Sequence, residues 1–121
     1  MKHMEHHDFN DAERSILIAL SDSENGKRIN EILEITGMSK PTFSRNVKRL
    51  IELGLVTKEI RANEGYPPPV YYCLTDKGRK IAKEIIKRNA INRLTLVSKL
   101  PRLSPEKRKR IEETIKMLEE L

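Results

Sequence analysis

A tight turn between two short amphipathic segments is the feature that most restricts how this chain can fold. Gly37 follows a segment with apolar residues at helical spacing, at the position where a helix often ends in a left-handed residue. Ser39 can cap the next helix, and Pro41 lies in its first turn, where a missing N–H costs nothing. The pattern predicts helices over residues 29–36 and 39–53. Two short helices joined by such a turn form a helix-turn-helix unit.

After these helices, two segments rich in β-branched and aromatic residues flank a run of prolines. The segments are "LVTKEIRA", residues 55–62, and "VYYCLT", residues 70–75, and "NEGYPPP" lies between them. Prolines lack an N–H and fix φ, which excludes a helix at this point. The two segments therefore predict a β-hairpin over residues 55–75 with a stiff, extended tip.

Three further helices are predicted outside the helix-turn-helix and the hairpin. Asn10 can cap the first of them, and Glu13 follows three residues later as in a capping box. A long helix begins at Thr75 or Asp76 and can continue to Lys99, and the last helix begins after Ser104.

The predicted fold class is mainly α with a small antiparallel β-hairpin (α+β). A chain of 121 residues is long enough for a modest core. We expect residues 1–75 to form one domain, and the helices of residues 76–121 to form a second region.

The third helix, residues 39–53, divides its side chains between two faces. At about 100° per residue, one face carries the apolar residues Phe43, Val47, Leu50 and Ile51. The other face and its flanks carry hydroxyls and cations, which can contact base edges and phosphates in a major groove. The residues predicted to bind DNA there are Ser39, Lys40, Pro41, Thr42, Ser44, Arg45, Lys48 and Arg49. The alternative is an amphipathic helix that merely exposes its cations to solvent.

Two stretches of the sequence resemble one family of regulators. "INEILEITGMSKPTFSRNVKRLIELGLVTKE" resembles the helix-turn-helix and first wing strand of the MarR family, including an exit over residues 51–56. "YYCLTDKGRKIAKEI" resembles the closing wing strand and the following helix, with Leu74, Thr75 and Gly78 as the most recognisable positions. The resemblance covers roughly residues 11–86 and implies a winged helix-turn-helix transcription regulator that binds DNA.

The hairpin departs from the MarR pattern at its tip. MarR-type wings usually carry an aspartate and an arginine near the tip, and "ANEGYPPPVYY" has neither in that arrangement. This segment looks closer to the wing of HxlR-type regulators, which often have paired prolines before the closing strand. The wing cations that remain are Lys58 and Arg61, and we expect Arg61 to contact the DNA backbone or the minor groove.

The helices of residues 76–121 carry more apolar residues than a domain of this size readily covers. We therefore predict a homodimer, which would place two recognition helices in successive major grooves about 34 Å apart on a pseudo-palindromic operator. The alternative is that both helices fold back onto their own domain. The residues predicted to form the dimer interface are Ile85, Ile86, Leu94, Val97, Ile111, Ile115, Leu118 and Leu121.

The charge distribution is consistent with a polyanionic partner but does not require one. The net charge is +6, and it is unevenly placed: residues 1–38 carry more anions than cations, whereas residues 39–61 and 76–121 are basic. Such an asymmetry is typical of proteins that meet double-stranded DNA with one surface. A well-solvated protein rich in Lys and Glu would show the same composition.

Several classes of function are disfavoured by the sequence. The longest apolar run, residues 16–20, is far too short for a membrane span, and the first residues lack the apolar stretch of a secretion signal. We therefore expect a cytoplasmic protein without membrane contact. No catalytic constellation or phosphate-binding glycine loop is found, which predicts a protein that is not an enzyme and needs no cofactor. The rival function is a winged-helix module for protein interactions, and no effector ligand can be identified.

Three smaller features favour an ordinary structural role over a functional one. His3, His6 and His7 could share a helix face, but without a carboxylate or cysteine cluster they favour a flexible tail over a metal site. Cys73 is expected to be a small packing residue of a strand and not an oxidant sensor. The basic run at residues 106–110 favours a solvated face with internal Glu–Arg pairs over a second nucleic-acid contact.

Overall fold

The computed structural model describes residues 8–121, which form two compact units. The first unit ends at Lys83, and the second runs from Glu84 to Leu121. The helices are α1 (Asp11–Leu20), α2 (Ile29–Thr36), α3 (Lys40–Glu52), α4 (Asp76–Ser98) and α5 (Pro105–Glu119). The strands are β1 (Lys27–Arg28), β2 (Val56–Ile60) and β3 (Val70–Leu74), and a 3-10 turn covers Ala62–Glu64. No helix within residues 8–121 is long and apolar enough to cross a membrane.

The N-caps of α1 and α3 and the C-cap of α2 are those that the sequence predicts. Asn10 Oδ1 accepts from the Glu13 N–H at 2.7 Å while the Glu13 carboxylate accepts from the Asn10 N–H at 2.9 Å, which completes a capping box. Gly37 ends α2 with φ of 73° in the left-handed region, and its N–H donates to the Leu33 carbonyl. The helix-turn-helix unit is therefore confirmed: α2 has the predicted bounds, and α3 is one residue shorter than predicted at each end.

The hairpin is confirmed, and it belongs to a larger sheet than the sequence indicates. β2 and β3 pair antiparallel with Val56 opposite Leu74 and Ile60 opposite Val70. β1 pairs antiparallel with the other edge of β3, so the strand order is β1-β3-β2. A strand of two residues is too short to give a periodic signal, which is why the sequence did not predict β1. The fold class is mainly α with a small three-stranded antiparallel sheet.

The apolar face of α3 packs in the core of the first unit. Phe43, Val47 and Leu50 are buried, and the Phe43 ring meets the Tyr72 ring edge to face with centroids 5.0 Å apart. Ile16, Leu17 and Leu20 of α1 and Ile32 of α2 are fully buried in the same unit. α3 is therefore anchored by one face to α1 and to the sheet, which leaves its opposite face to solvent.

The second unit contains the rest of α4 and all of α5. Arg108 donates to the Ser98 carbonyl at 3.0 Å and to the Leu100 carbonyl at 3.3 Å, and Lys87 Nζ donates to the Leu121 carbonyl at 3.2 Å. These contacts join opposite ends of the two helices, as in an antiparallel helical hairpin.

The structure gives the boundary between the two compact units and the exposure of each predicted dimer residue. The compact units divide inside α4, after Lys83, and the division of the chain into domains at residue 75 stays a prediction. Ile85 is 0% exposed in the single chain, so its side chain is not available to a second copy. Ile86, Val97 and Leu121 are exposed, and the half-buried residues are Leu94, Ile111, Ile115 and Leu118.

Candidate nucleic-acid interface

The amino end of α3 begins at a serine cap whose hydroxyl is already engaged. Ser39 Oγ accepts from the Thr42 N–H at 3.3 Å and donates to Thr42 Oγ1 at 2.9 Å. Pro41 follows in the first turn and has no N–H. The first turn therefore has few free N–H groups, and the exposed Lys40 ammonium is the strongest local attractor of an anion.

The exposed face of α3 brings together hydroxyls and unpaired cations. Pro41, Ser44, Arg45 and Lys48 are exposed, and Thr42 is half-buried. Within residues 8–121, neither Arg45 nor Lys48 forms an ion pair or a side-chain hydrogen bond. Their charges are free to meet an external acceptor, and the helix that carries them is held by its buried face.

Arg49 is half-exposed on α3, and its guanidinium turns toward α1. Its Nη1 donates to both carboxylate oxygens of Glu13, at 2.7 and 2.8 Å, and the Glu13 side chain is 2% exposed. The guanidinium also lies 5.8 Å from the centroid of the Phe9 ring. Arg49 stays a predicted DNA contact, and within its own chain it ties α3 to α1. The sequence did not predict it because the partner lies 36 residues away.

The wing cation Arg61 is also held by its own domain. Its guanidinium stacks on the Tyr71 ring at 3.7 Å, donates to the Asn25 carbonyl, and pairs with Glu59 at 3.4 Å and Glu64 at 3.6 Å. The hydrogen bond from Arg61 and then its charge lower the pKa of the Glu59 carboxyl. Lys58 is exposed on β2, and its ammonium has no ion-pair partner among residues 8–121.

The tip of the wing carries an exposed aromatic ring and no cation. Tyr66 is 97% exposed between Gly65 and the proline run, and Ile60 at the end of β2 is 63% exposed. No cation lies between residues 62 and 69. Because Arg61 is neutralised by two carboxylates, the wing presents Lys58 and an aromatic ring in place of a cationic tip.

The loop between α1 and β1, residues 21–26, is held by three cations from other elements. Arg61 donates to the Asn25 carbonyl, and Arg79 donates to the Ser23 and Glu24 carbonyls at 3.5 and 3.4 Å. Lys27 Nζ pairs with the Asp22 carboxylate and donates to the carbonyl of Ala19, in the last turn of α1, at 2.7 Å. These cations come from β1, the end of β2 and α4. The loop thereby joins the wing to the first turns of α4 within the first unit.

Cys73 lies half-buried on β3 beside Arg61 and Glu59. Burial, and then the charge of Glu59, raise the pKa of its thiol. A raised pKa lowers the thiolate fraction at neutral pH, and the thiolate is the reactive form. We expect mild peroxide to leave DNA binding in a gel-shift assay unchanged, as in a Cys73→Ser variant. A loss of binding that a thiol reductant reverses in the wild type alone would contradict this.

The remaining small sites hold no metal-binding cluster within the described residues. No group of three or more His, Cys, Asp and Glu side chains suited to a metal occurs in residues 8–121. His3, His6 and His7 lie outside the part of the chain that the structure describes, so the expectation of a flexible tail stays a prediction.

Comparison with known proteins supports the same architecture. Residues 7–65 match the sequence model of the MarR family. A mutant of ZitR from Lactococcus lactis is 21% identical, with a TM-score of 0.70 over 99% of this chain and 80% of its own. MepR, a transcription regulator of the Staphylococcus aureus multidrug efflux pump MepA, is 22% identical, with a TM-score of 0.66 over 94% of this chain and 81% of its own.

A MepR–DNA complex is among the similar structures, at 23% identity and a TM-score of 0.66 over 95% of this chain and 82% of its own. No curated protein matches the chain. At sequence identities of 21–23%, the structural similarity to these proteins shows the fold alone. Over residues 7–65 the chain is therefore similar to the MarR family, and it shares the winged-helix fold of these regulators.

Proposed function

We propose that the protein is a DNA-binding transcription regulator, and that it acts in the cytoplasm as a homodimer on a pseudo-palindromic operator. The observation that carries this proposal is the exposed face of α3, where Arg45 and Lys48 are unpaired while the opposite face is locked into the core. A rigid helix with free cations and hydroxyls has the chemistry of major-groove recognition. The MepR–DNA complex supports this proposal, since its protein shares the fold.

The roles of the α3 residues follow from their chemistry and exposure. Arg45 can donate two hydrogen bonds to a guanine, and Thr42 or Ser44 can contact a base edge or a thymine methyl. Lys40, near the amino end, and Lys48, one turn beyond Ser44, suit phosphate contacts that add affinity without sequence information. Ser39 acts through its cap, which fixes where the helix begins, and Pro41 lies on the exposed first turn.

The wing is proposed to lie on the flanking backbone or minor groove. Lys58 is the wing cation best suited to a phosphate, because it is exposed and unpaired in the described chain. Arg61 keeps the β2 end, the loop of residues 21–26 and Tyr71 together. We therefore assign Arg61 to shaping the wing instead of contacting DNA directly.

Dimerisation is proposed through the second unit. Its exposed large apolar side chains are Ile86, Leu96, Val97, Leu100, Met117 and Leu121. Exposed apolar side chains concentrated in one small unit are typical of a surface that another protein covers. Light scattering at micromolar concentration tests this, and a monomer would exclude two paired half-sites.

Arg45→Ala is the substitution that tests base reading. If Arg45 pairs with a base, binding to the operator should weaken by about 1 to 3 kcal/mol, and preference should relax at one position of each half-site. Competition with operators altered at single positions measures both effects. Arg93→Ala, an exposed cation of α4, is the matched control and should leave the preference intact. Equal weakening on every sequence would reassign Arg45 to a phosphate.

Selection of bound sequences from a random DNA pool tests the function as a whole. A sequence-specific dimer should enrich sites with approximate two-fold symmetry. Failure to enrich any site would favour the alternative, a winged-helix module for protein interactions without sequence-specific DNA binding.

A further inference from the structure

The outer face of α5 and its C-cap residue, Glu120, carry four charged side chains of alternating sign at regular spacing. Lys109, Glu113, Lys116 and Glu120, here called the charged seam, follow one another at intervals of four, three and four residues. At about 100° per residue they fall within an arc of roughly 60° and extend over roughly 16 Å. Ile111, Ile115 and Leu118, the half-buried residues of α5, lie on the opposite side of the helix.

The charges of the seam are not used within their own chain. All four residues are exposed, and none forms an ion pair in the part of the chain that the structure describes. Their spacing along one helix would permit pairs between Lys109 and Glu113. The structure instead leaves a row of free cations and anions facing outward.

The order of the charges is self-complementary when two such helices run in opposite directions. With the two-fold axis between Glu113 and Lys116, Lys109 faces Glu120 of the partner subunit and Glu113 faces the partner's Lys116. The two-fold axis repeats both pairs, so four opposite-sign pairs form and no like-sign pair occurs. In a parallel, in-register arrangement every residue of the seam would face its own like charge. The order of the charges therefore favours the antiparallel over the parallel orientation of the two helices.

The distribution of cations and anions along α5 also favours an antiparallel second copy of this helix. The first seven residues of the helix contain four cations and one anion, and most charged residues after Ile111 are glutamates. Helices are usually stabilised by the reverse arrangement, because the macrodipole is positive at the amino end. An antiparallel second copy would set each basic amino half against an acidic carboxyl half, which offsets the unfavourable placement.

We propose that α5 pairs antiparallel with α5 of a second copy of this chain through the charged seam. The inference rests on the proposed homodimer and specifies the surface that orients it. Exposed ion pairs contribute little affinity, so apolar neighbours such as Met117 and Leu121 supply the buried area. The seam supplies register and orientation, as charged flanking positions do in coiled coils. A two-fold interface of this kind uses the same surface on both subunits.

Charge reversal of the seam tests the proposal on the full-length protein. K109E/K116E makes the seam wholly acidic, and E113K/E120K makes it wholly basic. Each variant alone should dimerise about ten-fold or more weakly than the wild type at about 50 mM salt, with a smaller deficit at about 500 mM. An equimolar mixture of the two should recover a dimer that contains one chain of each kind. Sedimentation and native mass spectrometry measure the affinity and the composition.

Two control variants distinguish an effect of the charged seam on dimerisation from an effect of net charge. A further measurement excludes unfolding. The fourfold variant K109E/E113K/K116E/E120K has the wild-type net charge and a self-complementary seam, so it should dimerise as the wild type does. K99E/K107E carries the same charge change as K109E/K116E at exposed positions outside the seam and should remain dimeric. Circular dichroism of each variant checks that the helices persist.

The outcomes also distinguish this inference from the proposed function. A monomeric wild type would overturn the homodimer itself. A dimeric wild type whose reversal variants dimerise normally would overturn only the seam. The seam is likewise overturned if K109E/K116E stays dimeric and loses only DNA affinity, since the cations would then serve a nucleic-acid contact.

Discussion

Replacing Arg49 with methionine should lower the free energy of unfolding by about 2 to 4 kcal/mol, the largest loss expected from any cation of α3. The reason is the carboxylate left behind: Glu13 is 2% exposed, and Arg49 supplies two of its hydrogen bonds. The expected loss lies below that of a fully buried pair because the Arg49 side chain is 48% exposed. Urea unfolding followed by circular dichroism measures it.

Two comparisons make the Arg49 result specific. Lys48→Met removes a neighbouring exposed cation with no internal partner and should change stability by less than about 0.5 kcal/mol. Adding Glu13→Gln to Arg49→Met should recover part of the loss, because the neutral amide can still accept from the Asn10 N–H. If Arg49→Met is as stable as the wild type, Arg49 does not stabilise the contact between α3 and α1.

Gly78→Ala is expected to destabilise the protein by about 2 kcal/mol or more, although alanine normally favours a helix. A Cβ built at Gly78 would lie 2.1 Å from the Leu55 carbonyl oxygen, which is backbone and cannot rotate away. That same oxygen accepts from the Thr75 N–H at 3.0 Å. The first turn of α4 would have to move away from the start of β2, which breaks this bond.

The Gly78 variant is compared with Lys80→Ala, an exposed substitution in the same helix that should be nearly neutral. The urea midpoint of each variant is the measurement that separates them. An unchanged midpoint for Gly78→Ala would mean that α4 can shift without cost, and that the close approach to Leu55 is not needed.

Local signals in the sequence were enough to predict the helices and the hairpin. Asn10, Gly37 and Ser39 act on groups within a few residues, so their roles can be read from spacing alone. The exposed positions of Arg45 and Lys48 also follow from helical periodicity, since the apolar residues of α3 fix its orientation.

Contacts between distant residues were beyond the same reasoning. Arg49 and Arg61 read as free cations, but their partners lie on other elements: Glu13 on α1 and Asn25 in the loop that follows it. Ile85 reads as one member of an apolar stripe, and only its burial shows that the single chain already covers it. Periodicity predicts which face of a helix a residue lies on. It does not predict which residues of other elements pack against that face.

The loop of residues 21–26 has a consequence for how this protein can evolve. Arg61 and Arg79 donate to its carbonyls, which every amino acid possesses, and Lys27 pairs with the Asp22 carboxylate. The side chains of Glu24 and Asn25 are exposed and are not what holds the loop. These two positions can therefore change identity while the path of the chain stays the same. The rest of the loop is not free in the same way: Asp22 pairs with Lys27, Ser23 Oγ donates to the Gly26 carbonyl at 2.9 Å, and a Cβ at Gly26 would lie 2.6 Å from the Tyr72 carbonyl oxygen.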